Sequence, residues 1–279
     1  MLKQRVITAF AMLFGLLGAV FLTPRAGWMA VSSAVVGVAA WEWAGLGARS
    51  GVSRFLFSFA TVAFFGVAVV AIGLAEAPVS HSAGLAAVLA SGAGFWLVVA
   101  PFWLSAKWPM HRSGVGTIVG WLVIIPAGVA LVVLRDFDPW MLLAAMAVVW
   151  VADIAAYFVG RAFGKRKLAP AISPGKSWEG AIGAVVFVLI FGIVVATTWA
   201  GLGVDIRRDM GSLLAYVAIL VLLTGVSIIG DLFESLAKRQ AGVKDSGNIL
   251  PGHGGMLDRI DSLTSTLPLV ALALVLLRG

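Results

Sequence analysis

The segment LLAYVAILVLLTGVSIIGDLFESLAKRQ, residues 213–240, combines the two features that decide the fold of this chain: a long apolar run and a charged end. Residues 213–233 form the run, and about 20 consecutive apolar residues suffice for a helix that crosses a bilayer. The polar residues at its end share one face if the helix continues, because their spacing is i, i+3, i+4 and i+7. They are Asp231, Glu234, Ser235 and Lys238.

The composition of the whole chain agrees with this segment. Of its 279 residues, 61% are hydrophobic and 12% are charged, and the mean hydropathy is +1.04, which predicts an integral membrane protein. The apolar runs are continuous rather than alternating, which favours helices over barrel strands. We therefore expect an all-α polytopic membrane protein with about nine transmembrane helices. The runs cover residues 6–22, 26–43, 55–74, 83–104, 115–134, 139–159, 181–200, 213–233 and 263–277.

The spans divide into two regions. Residues 1–140 carry spans one to five, and residues 141–279 carry spans six to nine with two polar loops, 161–180 and 235–262, so we interpret the second region as catalytic. The chain has no cysteine, which excludes disulfides, thiolate metal sites and cysteine catalysis.

The distribution of basic residues predicts the orientation. With nine spans and a cytoplasmic N-terminus, fifteen of the 20 lysines and arginines fall on the cytoplasmic side, as the positive-inside rule requires. We attribute the net charge of +7 to this topology and to anionic lipid, not to nucleic acid. We expect a multi-pass protein of the cytoplasmic (inner) membrane, with its active site facing the cytoplasm. The basic residues on the opposite side are Arg25, Arg135, Arg207, Arg208 and Arg278.

The segment 235–262 is a dense polar stretch in an apolar chain. Charges beside lipid are costly, so such a cluster indicates a partner or a function. Six glycines and prolines between residues 242 and 255 interrupt any helix and leave backbone N–H groups free to meet an anion. Together they indicate a site for a phosphate and a metal ion. The charged residues are Lys238, Arg239, Lys244, Asp245, His253, Asp258, Arg259 and Asp261.

Three carboxylates in this part of the chain are candidate metal ligands. Asp258 and Asp261 are spaced at i, i+3 and can converge on one cation, and Asp231 follows an apolar run without a basic partner within one turn. Oxygen ligands alone favour a hard ion, Mg²⁺ or Mn²⁺. The alternatives are a Glu234–Lys238 pair within one helix and acidic residues that complement the dipole at a helix start.

The loop 161–180 is either a positive-inside loop or an anion site. Its segment Ser173-Pro174-Gly175-Lys176-Ser177 forms a turn into span seven and would present a lysine, two hydroxyls and helix N-terminal amides. It lacks the spacing of a Walker loop.

Two carboxylates lie within the apolar runs themselves. Asp153, four residues before Tyr157, should face the bundle interior. Glu42, between Trp41 and Trp43, is interpreted as a residue of the interfacial belt.

These residues closely resemble the phosphatidate cytidylyltransferases, or CDP-diacylglycerol synthases, from about Val149 onward. The family signature is Ser-x-x-Lys-Arg, four residues, Lys-Asp, and a loop to His-Gly-Gly and Asp-Arg-x-Asp. Upstream elements are Asp-x-x-Ala-Tyr and Ser-Pro-x-Lys-(Ser/Thr)-x-Glu-Gly. Ala237 departs from the bulkier apolar residue usual in the family. The matching residues are Asp153, Ala156, Tyr157, Ser173, Lys176, Ser177, Glu179, Gly180, Ser235, Lys238, Arg239, Lys244, Asp245, His253, Gly254, Gly255, Asp258, Arg259 and Asp261.

The resemblance implies transfer of CMP from CTP to phosphatidate, giving CDP-diacylglycerol and pyrophosphate in phospholipid biosynthesis. It implies Mg²⁺, with a second cation left open, and CTP, phosphatidate and membrane lipid as partners, with a homodimer left open. Metal ligands would be Asp231, Asp258 and Asp261, with Asp153 as a further candidate. Catalytic candidates are Lys176, Lys238, Arg239, Lys244, Asp245, His253 and Arg259. Candidates for substrate binding are Arg161, Lys165, Lys167, Ser173, Lys176, Ser177, Gly254 and Gly255.

A CTP-dependent lipid kinase and an ion-coupled transporter are the two alternative functions. A CTP-dependent lipid kinase would release CDP and phosphorylate an alcohol, so it should need a base near a hydroxyl. An ion-coupled transporter would show discontinuous helices near mid-membrane and repeat symmetry, whereas here the charged motifs gather on one side and no repeat is evident. The pattern of a CDP-alcohol phosphotransferase is absent.

Overall fold

The computed structural model describes residues 2–75, 82–110, 114–199 and 209–278, which lie mainly in nine helices. Two short antiparallel strands, β1 Lys167–Ala169 and β2 Ser173–Ser177, form a hairpin between the sixth and seventh helices. The helices are α1 Leu2–Leu22, α2 Arg25–Leu46, α3 Gly51–Ala71, α4 Ala83–Ala106, α5 Gly114–Phe137, α6 Pro139–Phe163, α7 Trp178–Thr198, α8 Met210–Gln240 and α9 Leu257–Arg278.

The expected architecture is confirmed. Helices α2 to α9 are long and apolar enough to cross a membrane, and α1 contributes a shorter apolar stretch, Val6–Leu22. Several helices run beyond the apolar runs. The end of α8 lies at Gln240 and α9 begins at Leu257, so most of the charged signature lies on helix ends rather than in a loop. The topology places Arg112 on the cytoplasmic side and Arg207 and Arg208 on the opposite side, and all three lie outside the described residues.

Helix α9 lies at the centre of the bundle, where it packs against α2, α4, α5, α6 and α8. Two buried hydroxyls join it to α8, because Ser262 donates to the carbonyl of Ser227 at 3.1 Å and Ser265 donates to that of Val226 at 3.0 Å. The two helices approach closely at Gly230, where a Cβ atom would lie 2.5 Å from the Ser265 hydroxyl. This contact brings Asp231, the next residue, against the first turns of α9.

Helices α6 and α7 pack extensively against each other, and the hairpin connects them in the chain. Their contact depends on small residues. A Cβ atom at Gly180 would lie 2.8 Å from the carbonyl oxygen of Ala156, and one at Gly183 would lie 2.7 Å from Val159. Since neither position has space for a side chain, the base of the hairpin is fixed to the end of α6.

The ends that carry the polar motifs meet on one side of the bundle. Near the start of α1, Thr8 donates to the carbonyl of Pro251 in the glycine-rich loop at 3.1 Å. At the end of α8, the side chain of Gln240 accepts from the Met110 amide at 2.9 Å and donates to the Trp108 carbonyl at 2.9 Å. These contacts place the α1 start, the α4 end and the polar loops together, as the expected sidedness requires.

The α6–α7 contact predicts the effect of a single methyl group. Gly183→Ala should lower stability by about 1–3 kcal/mol, the range for overpacking a close contact. Thermal unfolding of the purified protein in detergent measures this. Gly225→Ala on α8 is the matched control, because its added Cβ meets no atom within 4 Å. Each change replaces a glycine by an alanine within a helix, so both variants gain the same helix propensity. Equal stability of the two variants would therefore contradict the close contact.

Candidate active site

The first element of the site is an ion pair between the hairpin and α8. The ammonium group of Lys176, on β2, lies 2.6 Å from Asp231 Oδ2, and both side chains are partly accessible. The other oxygen of Asp231 accepts from the Ser235 hydroxyl at 3.2 Å. Asp231 therefore has a basic partner after all, but the partner comes from a segment 55 residues earlier in the chain. Sequence spacing along α8 could not reveal it.

The second element is a buried ion pair centred on Lys238. Its ammonium group lies 2.5 Å from Glu234 Oε2, one turn earlier on α8, and 2.7 Å from Asp258 Oδ1 on α9. All three side chains are largely buried, with exposed fractions of 13% for Lys238 and 5% for each carboxylate. The predicted intrahelical Glu234–Lys238 pair is confirmed, and the lysine also ties α8 to α9. Breaking a buried pair from one side leaves an uncompensated charge, which is strongly destabilising.

Asp258 also holds the glycine-rich loop, residues 241–256. Its Oδ2 atom accepts from the backbone amides of Ser246 at 2.9 Å and Gly255 at 2.8 Å. The chain can turn around the carboxylate because Gly254 adopts a φ of +81°, a conformation that favours glycine. A Cβ atom at Gly254 would also lie 2.8 Å from Asp258 Oδ2. Both oxygens of Asp258 are thus engaged within the protein.

Glu42, interpreted from the sequence as an interfacial belt residue, lies elsewhere. Its side chain is completely buried at the end of α2, so that interpretation is wrong. Its carboxylate accepts from the Ser246 hydroxyl at 3.1 Å, the Met256 amide at 3.0 Å and the Leu257 amide at 2.7 Å. It therefore satisfies N–H groups at the start of α9, which would otherwise lack partners. Its position inside an apolar run, where a charge requires a partner, was the available signal.

Two glycines allow this contact. A Cβ atom at Gly247 would lie 2.5 Å from Glu42 Oε1, and one at Gly255 would lie 2.6 Å from Oε2. The glycine-rich loop is thus wrapped around two carboxylates, Glu42 from α2 and Asp258 from α9. The sequence suggested that its free N–H groups would meet an anion. The anions they meet in this structure are these side chains.

The hairpin is fixed in a similar way. The Ser177 hydroxyl accepts from the Gly180 amide at 3.2 Å and caps α7, as the predicted turn into a helix requires. Glu179 accepts from the backbone amides of Lys165 and Arg166, and Arg239 on α8 donates to the Ile172 carbonyl at 3.4 Å. These bonds place Lys176 over the end of α8.

Asp153 and Asp261 lie near the Lys176–Asp231 pair. Asp153 interacts electrostatically with Asp231 and Lys176, and Asp261 interacts with Asp231 and Asp153. Asp261 accepts from the Ser262 amide at 2.8 Å. Asp153 has solvent access on α6, yet it lies beside Asp231 on α8 and Lys176 on β2, so its neighbours agree with the expectation that it faces the other helices. It borders the opening of the site.

The predicted metal ligands are not brought into one compact group. Among the described residues, no three carboxylate or histidine side chains are close enough to hold a metal ion. Asp258 and Asp261, expected to converge, serve different partners, because Asp258 is directed to Lys238 and the loop amides. The acidic groups that neighbour one another are Asp153, Asp231 and Asp261. Their oxygens suit a hard cation such as Mg²⁺.

The remaining candidates lie at the end of α6, in the hairpin segment, in the glycine-rich loop and in the first turn of α9. Arg259 donates twice to the His253 carbonyl, at 2.7 and 3.1 Å, and His253 Nδ1 is buried without a hydrogen-bond partner. Arg161 donates to the Tyr157 hydroxyl at 3.2 Å. Three further basic side chains are exposed to solvent and available to phosphate groups: Lys165, Lys167 and Lys244. The acidic Asp245 is exposed beside Lys244. Ser173, at the start of β2, is partly exposed.

The chain is similar to known proteins over nearly its whole length. The model of the cytidylyltransferase family matches residues 3–277. The phosphatidate cytidylyltransferase of Pseudomonas aeruginosa is 41% identical to 97% of this chain and 96% of its own length, and that of Haemophilus influenzae is 37% identical over 96% of each. The phosphatidate cytidylyltransferase of Brucella suis is 45% identical over 52% of each chain. Since the match covers nearly every helix as well as the site, the chain belongs to the cytidylyltransferase family.

Proposed function

We propose that this protein transfers CMP from CTP to phosphatidate, giving CDP-diacylglycerol and pyrophosphate. The observation that carries the proposal is the position of the site. Lysines and arginines from the hairpin, α8 and α9 converge at the ends of membrane-spanning helices, around carboxylates. A lipid headgroup and a water-soluble nucleotide can meet only at such a boundary. The names of the full-length relatives support the same reaction.

The reaction needs neutralisation of charge more than it needs a base. A phosphate oxygen of phosphatidate attacks the α-phosphorus of CTP, and the bond from that phosphorus to the β-phosphate oxygen breaks and releases pyrophosphate. The attacking phosphate is already ionised near neutral pH, with a second pKa of about 6 for phosphomonoesters. Both reactants and the leaving group are anionic, so positioned cations stabilise the transition state. The lipid kinase alternative lacks support, because it requires a base beside an alcohol.

The residues divide into a positioning part and a reactive part. In the positioning part, Glu234 and Asp258 both pair with Lys238, and this network holds α8, α9 and the loop in place. Lys176, Arg259 and Lys244 are accessible and are proposed to contact phosphate oxygens. Because Lys176 lies on β2 two residues before α7, we assign it, together with Arg259, to the phosphatidate headgroup, and we assign the exposed Lys244 to CTP. Asp245, Arg239 and His253 line the same end.

Magnesium dependence is part of the proposal. Asp231 and Asp261, with Asp153 at the opening, are neighbouring oxygen donors that would contribute ligands to Mg²⁺, and phosphate oxygens of the triphosphate would supply the rest, because the three carboxylates are not close enough to hold the ion by themselves. When bound, Mg²⁺ would neutralise the triphosphate and orient it. Asp258 was expected as a ligand. We instead propose that it acts through Lys238 and the loop amides, to which both its oxygens are bonded.

The decisive assay uses the purified protein with labelled CTP, phosphatidate and Mg²⁺. We expect label from the cytidine and the α-phosphate in the lipid product, with release of pyrophosphate. Formation of CDP and a phosphorylated lipid alcohol would instead identify a kinase. Absence of any labelled lipid under conditions where the protein remains folded would reject both.

Asp231→Asn should lower kcat by about 100-fold or more, which corresponds to about 2.7 kcal/mol of transition-state stabilisation. The variant keeps the shape of the side chain but loses the charge that pairs with Lys176 and would bind the metal. Asp209→Asn is the control. It makes the same change at the other end of α8, where Asp209 caps the helix and asparagine caps equally well. Turnover near the normal value in Asp231→Asn at saturating Mg²⁺ would remove Asp231 from the site.

Glu42→Gln should loosen the glycine-rich loop. One acceptor oxygen is replaced by an NH₂ group facing backbone N–H donors, and an unsatisfied buried group costs about 1–3 kcal/mol. We expect faster hydrogen exchange of residues 241–256 and lower activity. Ser246→Ala removes only one of the three bonds to Glu42 and should have a smaller effect. Unchanged exchange of this loop in Glu42→Gln would show that the carboxylate does not hold it.

The site is proposed to face the cytoplasm of a bacterial-type inner membrane. In a chain without cysteine, Lys244→Cys introduces one thiol on the exposed loop after α8, and Met210→Cys introduces one at the other end of that helix. In intact cells, an impermeant thiol reagent should label Met210→Cys and not Lys244→Cys. The reverse pattern would overturn the orientation.

A further inference from the structure

The bundle contains an apolar cavity of about 480 Å³ beside the site. It lies between α1, α2, α5, α6 and α9, with walls formed by residues such as Met12, Val35, Leu131 and Trp150. The volume falls within the range of small-molecule sites, about 300–1,000 Å³. Protein interiors are close-packed, so an apolar space of this size loses dispersion contacts unless a ligand fills it.

The depth of the cavity matches one leaflet of a bilayer. Its wall on α1 runs from Ala9 to Ala19, and these two residues are ten positions apart, which is about 15 Å at the helical rise of 1.5 Å per residue. That is about half of the ~30 Å hydrocarbon core of a membrane. The Ala9 end is the end near the site, because the neighbouring Thr8 donates to Pro251 in the glycine-rich loop.

The mouth of the cavity carries a cation. Met256 and Arg259, at the start of α9, belong to its lining, and Arg259 is exposed to solvent. The walls that lead away from Arg259 are apolar except for the hydroxyls of Ser32 and Thr264, so they disfavour a nucleotide or a hydrated ion. The combination of one exposed guanidinium and an apolar channel of leaflet depth fits an anionic headgroup joined to a hydrocarbon chain.

We propose that this cavity binds one acyl chain of phosphatidate, with the phosphate held near Arg259 at its mouth. The inference rests on the proposed function and adds to it a subsite for the hydrophobic part of the substrate. It makes α1 and α2, which lie outside the signature segment, part of the lipid site. Helix α1, whose main packing partner is α2, forms the outer wall through which a chain can enter from the bilayer.

The test uses a bulky side chain on α1. Gly15 lines the cavity, and a Cβ atom there meets nothing within 4 Å, so Gly15→Phe places a ring in the space. Gly18 on the same helix has equally open surroundings but does not line the cavity, so Gly18→Phe is the matched control. Monodispersity and thermal unfolding in detergent establish that both variants are folded.

Kinetics with long-chain and short-chain phosphatidate measure the effect. In Gly15→Phe, kcat/KM for dioleoyl-phosphatidate should fall about 10-fold relative to dihexanoyl-phosphatidate, which corresponds to excluding about two methylenes from an apolar site. The KM for CTP should not change. Gly18→Phe should behave as the wild type. Equal losses for both lipids, or no loss for either, would overturn the proposal.

Photolabelling separates this inference from the proposed function, because it needs no turnover. Phosphatidate with a diazirine in its acyl chain should label the wall peptides of α1, α2 and α9, and Gly15→Phe should remove the label. Equal labelling by a phosphatidylcholine analogue, or labelling that Gly15→Phe leaves unchanged, would overturn the acyl-chain subsite. Specific labelling in a protein that forms no CDP-lipid would support the subsite and reject the activity.

Discussion

The structure depends on the requirement that a carboxylate buried at a membrane boundary be fully paired. Desolvation of a charge costs several kcal/mol, so each buried acid must find donors nearby. Asp258 obtains them from Lys238 and two loop amides, and Glu42 obtains them from a hydroxyl and two amides at the start of α9. Satisfying these two acids folds the glycine-rich loop and fixes α2, α8 and α9 relative to one another.

This arrangement places buried, paired charges and accessible charges side by side in one small region. The Glu234–Lys238–Asp258 network is enclosed and joins two carboxylates to one ammonium group, whereas Lys176, Asp231 and Arg259 remain accessible. Rigid support keeps charged groups aimed at the positions where phosphate charge develops, which is how electrostatic stabilisation becomes effective. Glu234 Oε1 and His253 Nδ1 are buried and have no hydrogen-bond partner among the described residues.

The structure also changes the interpretation of the N-terminal region. From the sequence, we interpreted residues 141–279 as the catalytic region. In the structure, Thr8 on α1 and Glu42 on α2 also contact the glycine-rich loop. The central α9 also packs against α2, α4 and α5, which belong to the first half of the chain. Helices α1 and α2 therefore contact the candidate site directly.

The sequence by itself determined the membrane-spanning helical architecture, because long apolar runs have no other stable form in lipid, and it identified the charged segments that make up the candidate site. Local spacing also determined the Glu234–Lys238 pair and the Ser177 cap. Only the tertiary structure decided which charges meet. The Lys176–Asp231 pair, the separation of Asp258 from Asp261 and the burial of Glu42 all join helices distant in sequence. Such pairings are set by helix packing at positions such as Gly230 and Gly180, and a pattern along one chain does not contain that geometry.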